Sequence, residues 1–236
     1  MTSSTTRSPS SPSTSPPGPW ARLAMPDYAK LSKLQDDNFS AFARTLTDEE
    51  WSRPSLCSGW ANKDVLAHLT LGLQLPVTRL LLAMARHRGS FDATNEDVTR
   101  RYAQHRTAQE LIDEFDRART RPKGIGRLLP NPLMLGDHVV HHLDIALPLG
   151  RAADLPPEIA EAVLTVETTI PNPFVPAVTR ARDLALRATD TDWSKQGNSD
   201  LEIIGAADHL ISVLAGRGYA MPHLTGSGAS ELARRI

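Results

Sequence analysis

The segment "LGDHVVHHLDIALPLG", Leu135 to Gly150, carries three histidines and two aspartates within eight residues, in an otherwise apolar stretch. Imidazoles and carboxylates bind divalent metals and orient one another by hydrogen bonding. On a helix, residues four apart share a face. Two such pairs exist here, Asp137 with His141 and His138 with His142. They point about 100° apart, so only one pair is expected to be buried. The apolar residues around them, Leu133, Val140 and Leu147 on one row and Leu135, Val139 and Ile145 on others, do not decide which. Asp144, three residues after His141, is placed to orient that imidazole as an outer partner. An Asp/His pair supplies two ligands, whereas catalytic zinc takes three protein ligands and keeps an open position. The third must come from another helix, as in carboxylate-bridged bundles. His68, on the apolar face of "KDVLAHLT", is the best candidate.

Plainer readings compete with this one. A histidine on an apolar face is commonly a hydrogen-bonded core residue, and a His-rich patch can simply be solvated. His87, His105, His209 and His223 stand in polar settings and read as surface residues. Cys57 is the only cysteine. One thiol forms neither an intramolecular disulfide nor a Cys-rich zinc site, and it suggests a reducing compartment, the cytoplasm. It precedes Gly59 and Trp60 in a tight loop with no His or Lys beside it, so it reads as packing, not as a nucleophile. Trp60 and Trp193 read as core or inter-domain packing.

The elements that must position these residues follow from hydrophobic period. "PDYAKLSKLQDDNFSAFARTL" predicts a first helix, with Pro26 and Asp27 in its first turn. "RPSLCSGW" is a loop, after which Asn62 is an expected N-cap and Val65, Leu66, Leu69 and Leu73 carry a buried stripe. Pro76 should break that helix, which resumes through Leu80, Leu81 and Met84 and stops near Gly89. "TAQELIDEFDRART" predicts a third helix opened by a Thr107–Glu110 capping box. The histidine segment is the fourth, ended by Pro148 and Gly150. Beyond it, "PPEIAEAVLTVETTI" and "GAADHLISVLAGRG" read as helices, "ARDLALRATD" and "SDLEIIG" as strands, and "DTDWSKQGN" as the turn between them.

The expected fold is mainly α with a small α+β part: a four-helix bundle over residues 23–150, then a smaller α/β domain over 151–236. Residues 1–22 are Ser/Thr/Pro-rich and read as a disordered tail with no secretory character. The chain has 236 residues, 40% hydrophobic and 22% charged, with net charge −1. It can bury a sizeable core, and it lacks the basic excess of a nucleic-acid or membrane-surface binder. No apolar run reaches the ~20 residues of a membrane span.

Three motifs carry a resemblance. "CSGWANKDVLAHL" is similar to the Gly-Trp, Asp, His-Leu motif of the mycothiol-dependent maleylpyruvate isomerase family, part of the DinB-like bundle superfamily. "DHVVHHLDIALPLG" resembles that family's acidic-x-x-x-His-x-x-Asp-(Ile/Leu) helix with its terminal Gly. "ATDTDWS" followed by "LAGRG" resembles its C-terminal domain. The resemblance spans about residues 27–232. It implies a divalent metal, usually zinc, held by His68, Asp137 and His141, with Asp144 as an outer partner. It implies that Arg217 lies near the active site, where a guanidinium would bind or polarise an anionic substrate. The family usually has Glu where this chain has Asp137, and His138 is an alternative ligand beside it. A thiol co-substrate, mycothiol by resemblance, would be deprotonated by the metal and attack a small electrophile.

The leading expectation is therefore a metal-dependent thiol transferase or isomerase, monomeric or homodimeric. A non-catalytic binding bundle with a degenerate metal site is the alternative, and a metal-dependent hydrolase ranks third because no additional general base is evident.

Overall fold

Asp27 accepts a hydrogen bond from the Lys30 N–H at 3.1 Å and starts α1, Tyr28–Ala43. The structure is a computed structural model describing residues 26–236; the expected tail over 1–22 lies outside the described residues. The short α2, Asp48–Ser52, opens on a Thr47–Glu50 capping box. Helix α3 covers Asn62–Gln74. Asn62 was expected as its N-cap but is its first helical residue. Ala61 holds the cap position, the Asp64 carboxylate accepts the Ala61 N–H at 2.9 Å, and Asn62 donates instead to the Glu50 carbonyl at 2.8 Å. The break at Pro76 is present: Leu75 is extended, as a residue before proline must be, and α4 restarts over Val77–Arg86. Helix α5, Phe91–Gln104, has no counterpart in the sequence reading. Helix α6, Ala108–Thr120, carries the expected Thr107–Glu110 box. A 3-10 turn over Gly124–Arg127 leads to α7, Asn131–Leu149. Pro148 lies inside its last turn and does not end it. Gly150 does, in the left-handed region at φ 67°.

The remainder comprises α8 (Pro157–Thr169), α9 (Ala177–Arg180), β1 (Ala185–Ala188), β2 (Ser194–Lys195), β3 (Glu202–Gly205), α10 (Ala207–Leu214), a 3-10 turn (Gly218–His223) and α11 (Ala229–Ala233). The sheet order is β2-β1-β3, with β1 antiparallel to β2 and parallel to β3, Leu186 opposite Ile203. The stretch expected as a plain turn thus contains β2. The architecture is the mainly α one anticipated, with a bundle of α1, α3, α6 and α7 and a small sheet in the C-terminal part.

Two apolar cores hold it together. One lies within the bundle around Phe39, Leu66, Leu111 and Phe115. The larger joins Leu135, Val139 and Leu143 of α7 to Ile159 and Val163 of α8, Leu186 and Ile203 of the sheet, and Leu210 of α10. Helix α7 serves both, because Met134 and Ile145 point into the bundle core. Among the described residues, no helix is long and apolar enough to cross a membrane.

Candidate metal centre

The two pairs on α7 separate cleanly. His138 and His142 are buried and face α1. His138 Nδ1 lies 2.5 Å from Asp36 Oδ1, and His142 Nδ1 accepts from Gln35 Nε2 at 3.2 Å. The His142 ring packs against Phe39 and Phe42, with centroids 5.3 and 4.5 Å away. Burial drives its pKa down to about 3, so it is neutral. Burial also opposes charge on His138, but Asp36 outweighs it and raises the pKa above the ordinary value. These two imidazoles tie α7 to α1. His138 is thus not among the side chains whose ligand atoms converge: its Nδ1 is engaged by Asp36, on the face of the helix turned to α1.

Asp137 and His141 face α3. The His141 ring lies 4.7 Å, centroid to centroid, from that of His68, and the ligand atoms of His68, Asp137 and His141 all fall within 4.8 Å of one another. His68 donates Nδ1–H to Asn95 Oδ1 at 3.1 Å, and His141 donates Nδ1–H to Asp144 Oδ2 at 2.9 Å. Each bond leaves Nε2 as the nitrogen turned to the shared centre, and His141 Nε2 lies 3.6 Å from Asp137 Oδ1. Burial lowers the His68 pKa to about 4, helped by the charge on His141, so His68 is a neutral, ligand-ready imidazole. His141 moves the other way. Burial alone would lower it, but Cys57, Asp137 and Asp144 around it raise it well above the ordinary value. Asp137 is held below the usual carboxylate value: desolvation works against this, and His141 and His68 outweigh it. Its side chain is 44% exposed and opens onto a cavity. Two imidazoles and a carboxylate, each imidazole fixed through its far nitrogen, fit the donor set and supporting bonds of a zinc site with an open position.

Asp144 is the hub behind this group. Its side chain is 1% exposed and accepts from His141, from the Cys57 thiol at 3.0 Å, and from Arg217 Nε and Nη2, each at 2.8 Å. Burial would raise its pKa, but the hydrogen bonds from His141 and Arg217 hold it far below the usual range. Arg217 arrives by local geometry. After α10, Gly216 turns left-handed at φ +96°, the Arg217 N–H bonds back to the Ser212 carbonyl and the Gly216 N–H to that of Val213, a Schellman end that aims the next side chain at α7. Its guanidinium spends four of five N–H donors on Asp144, the Ala215 carbonyl and the Cys57 sulfur. Arg217 thus lies at the site, but its fork holds Asp144 and is not free for a substrate carboxylate.

Cys57 needs a correction. No His or Lys lies near it in sequence, but the fold places its sulfur 3.6 Å from His141 Nδ1 and 3.9 Å from Arg217 Nη2. The loop is pinned there by the Leu56 N–H donating to the Asp144 carbonyl at 3.0 Å. Cys57, His141 and Asp144 form a second group with metal-ligand spacing. Its carboxylate already accepts four hydrogen bonds, whereas the ligand atoms of His68, Asp137 and His141 converge beside a cavity. The first group is the better metal site.

Two cavities of about 380 Å³ each meet at the centre. One is an apolar chamber between α3, α5, α7 and α8. The other is a polar cleft lined by Cys57, Ser58, Trp60 and Glu96. Asp92, Asn95, His141 and Arg217 border both. Trp60 is buried against the His68 ring, 5.3 Å centroid to centroid, and Trp193 donates Nε1–H to Thr165 at 3.0 Å. Asn95 and Glu167 were missed by sequence reasoning. Asn95 rides on the unforeseen α5. Glu167, buried on α8 in the chamber wall, has Oε2 without a partner, and burial raises its pKa well above the ordinary value.

Comparison with known proteins now bears on this geometry. Residues 33–123 match the family model for the mycothiol maleylpyruvate isomerase N-terminal domain. The match covers less than half of the chain and ends before α7. Crystal structures of the mycothiol-dependent maleylpyruvate isomerase, and of a histidine-to-alanine mutant of it, share the fold at TM-score 0.51 and 16% identity, covering 86% of this chain and 92% of the other. No curated protein matches in sequence. The matched segment contains α3 with His68 and α5 with Asn95; Asp137, His141, Asp144 and Arg217 lie beyond it.

Proposed function

We propose that this chain is a metal-dependent enzyme that uses a low-molecular-weight thiol, mycothiol by its family, for isomerisation or S-transfer on a small electrophile. The observation that carries the reading is the convergence of His68 from α3 with Asp137 and His141 from α7, ligand atoms within 4.8 Å, each imidazole fixed through Nδ1. A divalent metal held by these three, zinc by the nature of the donors, would supply the charge that deprotonates a thiol, whose free pKa is ~8.5.

The rest falls to the chain. Asn95 and Asp144 fix the ring orientation of His68 and His141. Arg217 keeps Asp144 ionised and so holds His141 in the right tautomer. The apolar chamber excludes water from the carbon that the sulfur attacks. Addition to an activated double bond, rotation and elimination gives cis–trans isomerisation, and addition alone gives a thiol conjugate. The same residues serve both outcomes. A small-molecule thiol and a lone cysteine accord with a cytoplasmic setting.

A non-catalytic binding bundle is the second reading, favoured by Asp137, a shorter carboxylate than the family's usual Glu and 44% exposed. Metal analysis of purified protein tests the ligand set. About one equivalent of zinc is expected in the wild type and little in His141→Ala; equal zinc in both would remove the proposed site. Chelator-sensitive conjugation of a thiol to an electrophile would exclude the binding module, and a metal-loaded protein without turnover would favour it.

A further inference from the structure

The residues facing the chamber carry a statement about what it accepts. Leu75, Val98, Leu133, Val140, Val166 and Ile170 make its wall predominantly hydrocarbon. Two glycines keep it open. Gly72 lies within α3 and Gly136 within α7, positions where glycine weakens a helix, and a Cβ built on either would meet nothing within 4 Å. The volume lost by their missing side chains belongs to the chamber, whose wall includes both.

Charge points the same way. Among the described residues, Arg217 is the only lysine or arginine in the wall, and its guanidinium is bound to Asp144. Three acids line the same space, Asp92, Asp137 and Glu167. With the proposed metal's open position taken by the thiol, a carboxylate entering here would shed water, find no free side-chain cation, and have Asp92 and Glu167 as neighbours. On the far side of His141 and Arg217, the cleft around Cys57, Ser58 and Glu96 is polar and suits the hydrophilic body of a small thiol.

We propose that the chamber selects an uncharged, largely apolar electrophile with an activated double bond, such as an α,β-unsaturated ketone, and rejects carboxylated ones. This rests on the thiol-enzyme reading above for its chemistry, but not for binding. In the reaction, a sulfur–carbon bond forms at the β-carbon, the alkene π pair moves toward the carbonyl, and the α-carbon takes up a proton equal to the one the thiol gave up. No oxidant or reductant is needed.

Calorimetric titration without thiol tests the inference, using benzylideneacetone and its para-carboxylate against protein as purified and against the same protein after chelation, which removes any metal a carboxylate could ligate. The neutral ketone is expected to bind saturably and about tenfold or more tighter than the carboxylate. Gly72→Leu, which fills the chamber, should weaken the ketone about tenfold with the zinc content and thermal midpoint unchanged. Gly72→Ala, a smaller change that favours the helix, should weaken it less. Equal or tighter binding of the carboxylate, or unchanged ketone affinity in folded Gly72→Leu, would overturn the proposal. So would no saturable binding of the ketone. Zinc content of the untreated sample separates the two claims: an untreated wild type that holds no zinc yet binds the ketone would count against the enzyme reading and leave the chamber's selectivity standing.

Discussion

Asn95 and Asp144 show what the proposed metal site asks of residues that are not its ligands. Each touches one imidazole at Nδ1, and without that bond the ring can present either nitrogen to the centre. Asn95→Leu should weaken zinc binding about tenfold, within the range typical for outer partners of metal-bound histidine, while leaving the apo protein's melting close to wild type. Competition with a chromophoric chelator measures it; unchanged affinity would mean that His68 is not a ligand or is oriented by something else. At this scale the sequence was partly legible. Spacing on one helix joined Asp137 to His141 and His138 to His142, because helical geometry is local. It could not say which pair turns inward, since that depends on Gln35 and Asp36, more than a hundred positions away. The same distance in sequence hid Cys57's neighbours. The sulfur looks isolated along the chain, yet in space it touches two residues of α7 and Arg217.

Among the elements, α5 is the longest helix that the sequence reading did not reveal. "FDATNEDVTRRYAQ" is predominantly polar, with Phe91, Val98 and Tyr102 as its few large apolar side chains; its buried residues are Thr94, Thr99 and Ala103, small side chains that let it lie close against the bundle. Its hold is polar. Tyr102 donates its hydroxyl to Glu114 on α6, accepts from Gln74 on α3 at 2.5 Å, and lies under the Arg106 guanidinium, 3.6 Å from the ring centroid. Burial and the adjacent Glu114 push the Tyr102 pKa up to about 12. In the unfolded chain the phenol ionises near ~10, so above that pH the folded state binds the extra proton and stability falls as pH rises toward 12. Tyr102→Phe should lose this component. Its deficit relative to wild type, read from urea midpoints, should shrink between pH 9 and 11; a constant deficit would show that the hydroxyl is not held protonated by the fold. The end of α7 offers a simpler case. Gly150 sits at φ 67°, so Gly150→Ala should cost about 1 kcal/mol of stability, although its Cβ would have open space. That stop signal was readable in the sequence because only glycine adopts the turn cheaply.

At the scale of the molecule, the proposed metal centre depends on a C-terminal part that supplies none of its ligands. Sequence composition placed a boundary near residue 151, where the helical pattern gives way to strands. Packing runs across that point. Leu135, Val139 and Leu143 of α7 are fully buried in the same core as α8, the sheet and α10, and Arg217 reaches back from α10 to neutralise Asp144. A fragment ending at Gly150 would expose these side chains, each worth about 1.5–3 kcal/mol of burial. It would also leave Asp144 buried beside His141 without its guanidinium, a loss that commonly costs 3–5 kcal/mol. We therefore expect the full chain to melt in a single transition, and residues 26–150 expressed alone to bind a hydrophobic dye, melt without cooperativity and retain zinc poorly. Adding residues 151–236 in trans should restore the melt if the interface is sufficient by itself. A fragment 26–150 that melts cooperatively and holds zinc as tightly as the full chain would show the bundle to be self-contained. The C-terminal part would then be an addition to the site, not its foundation.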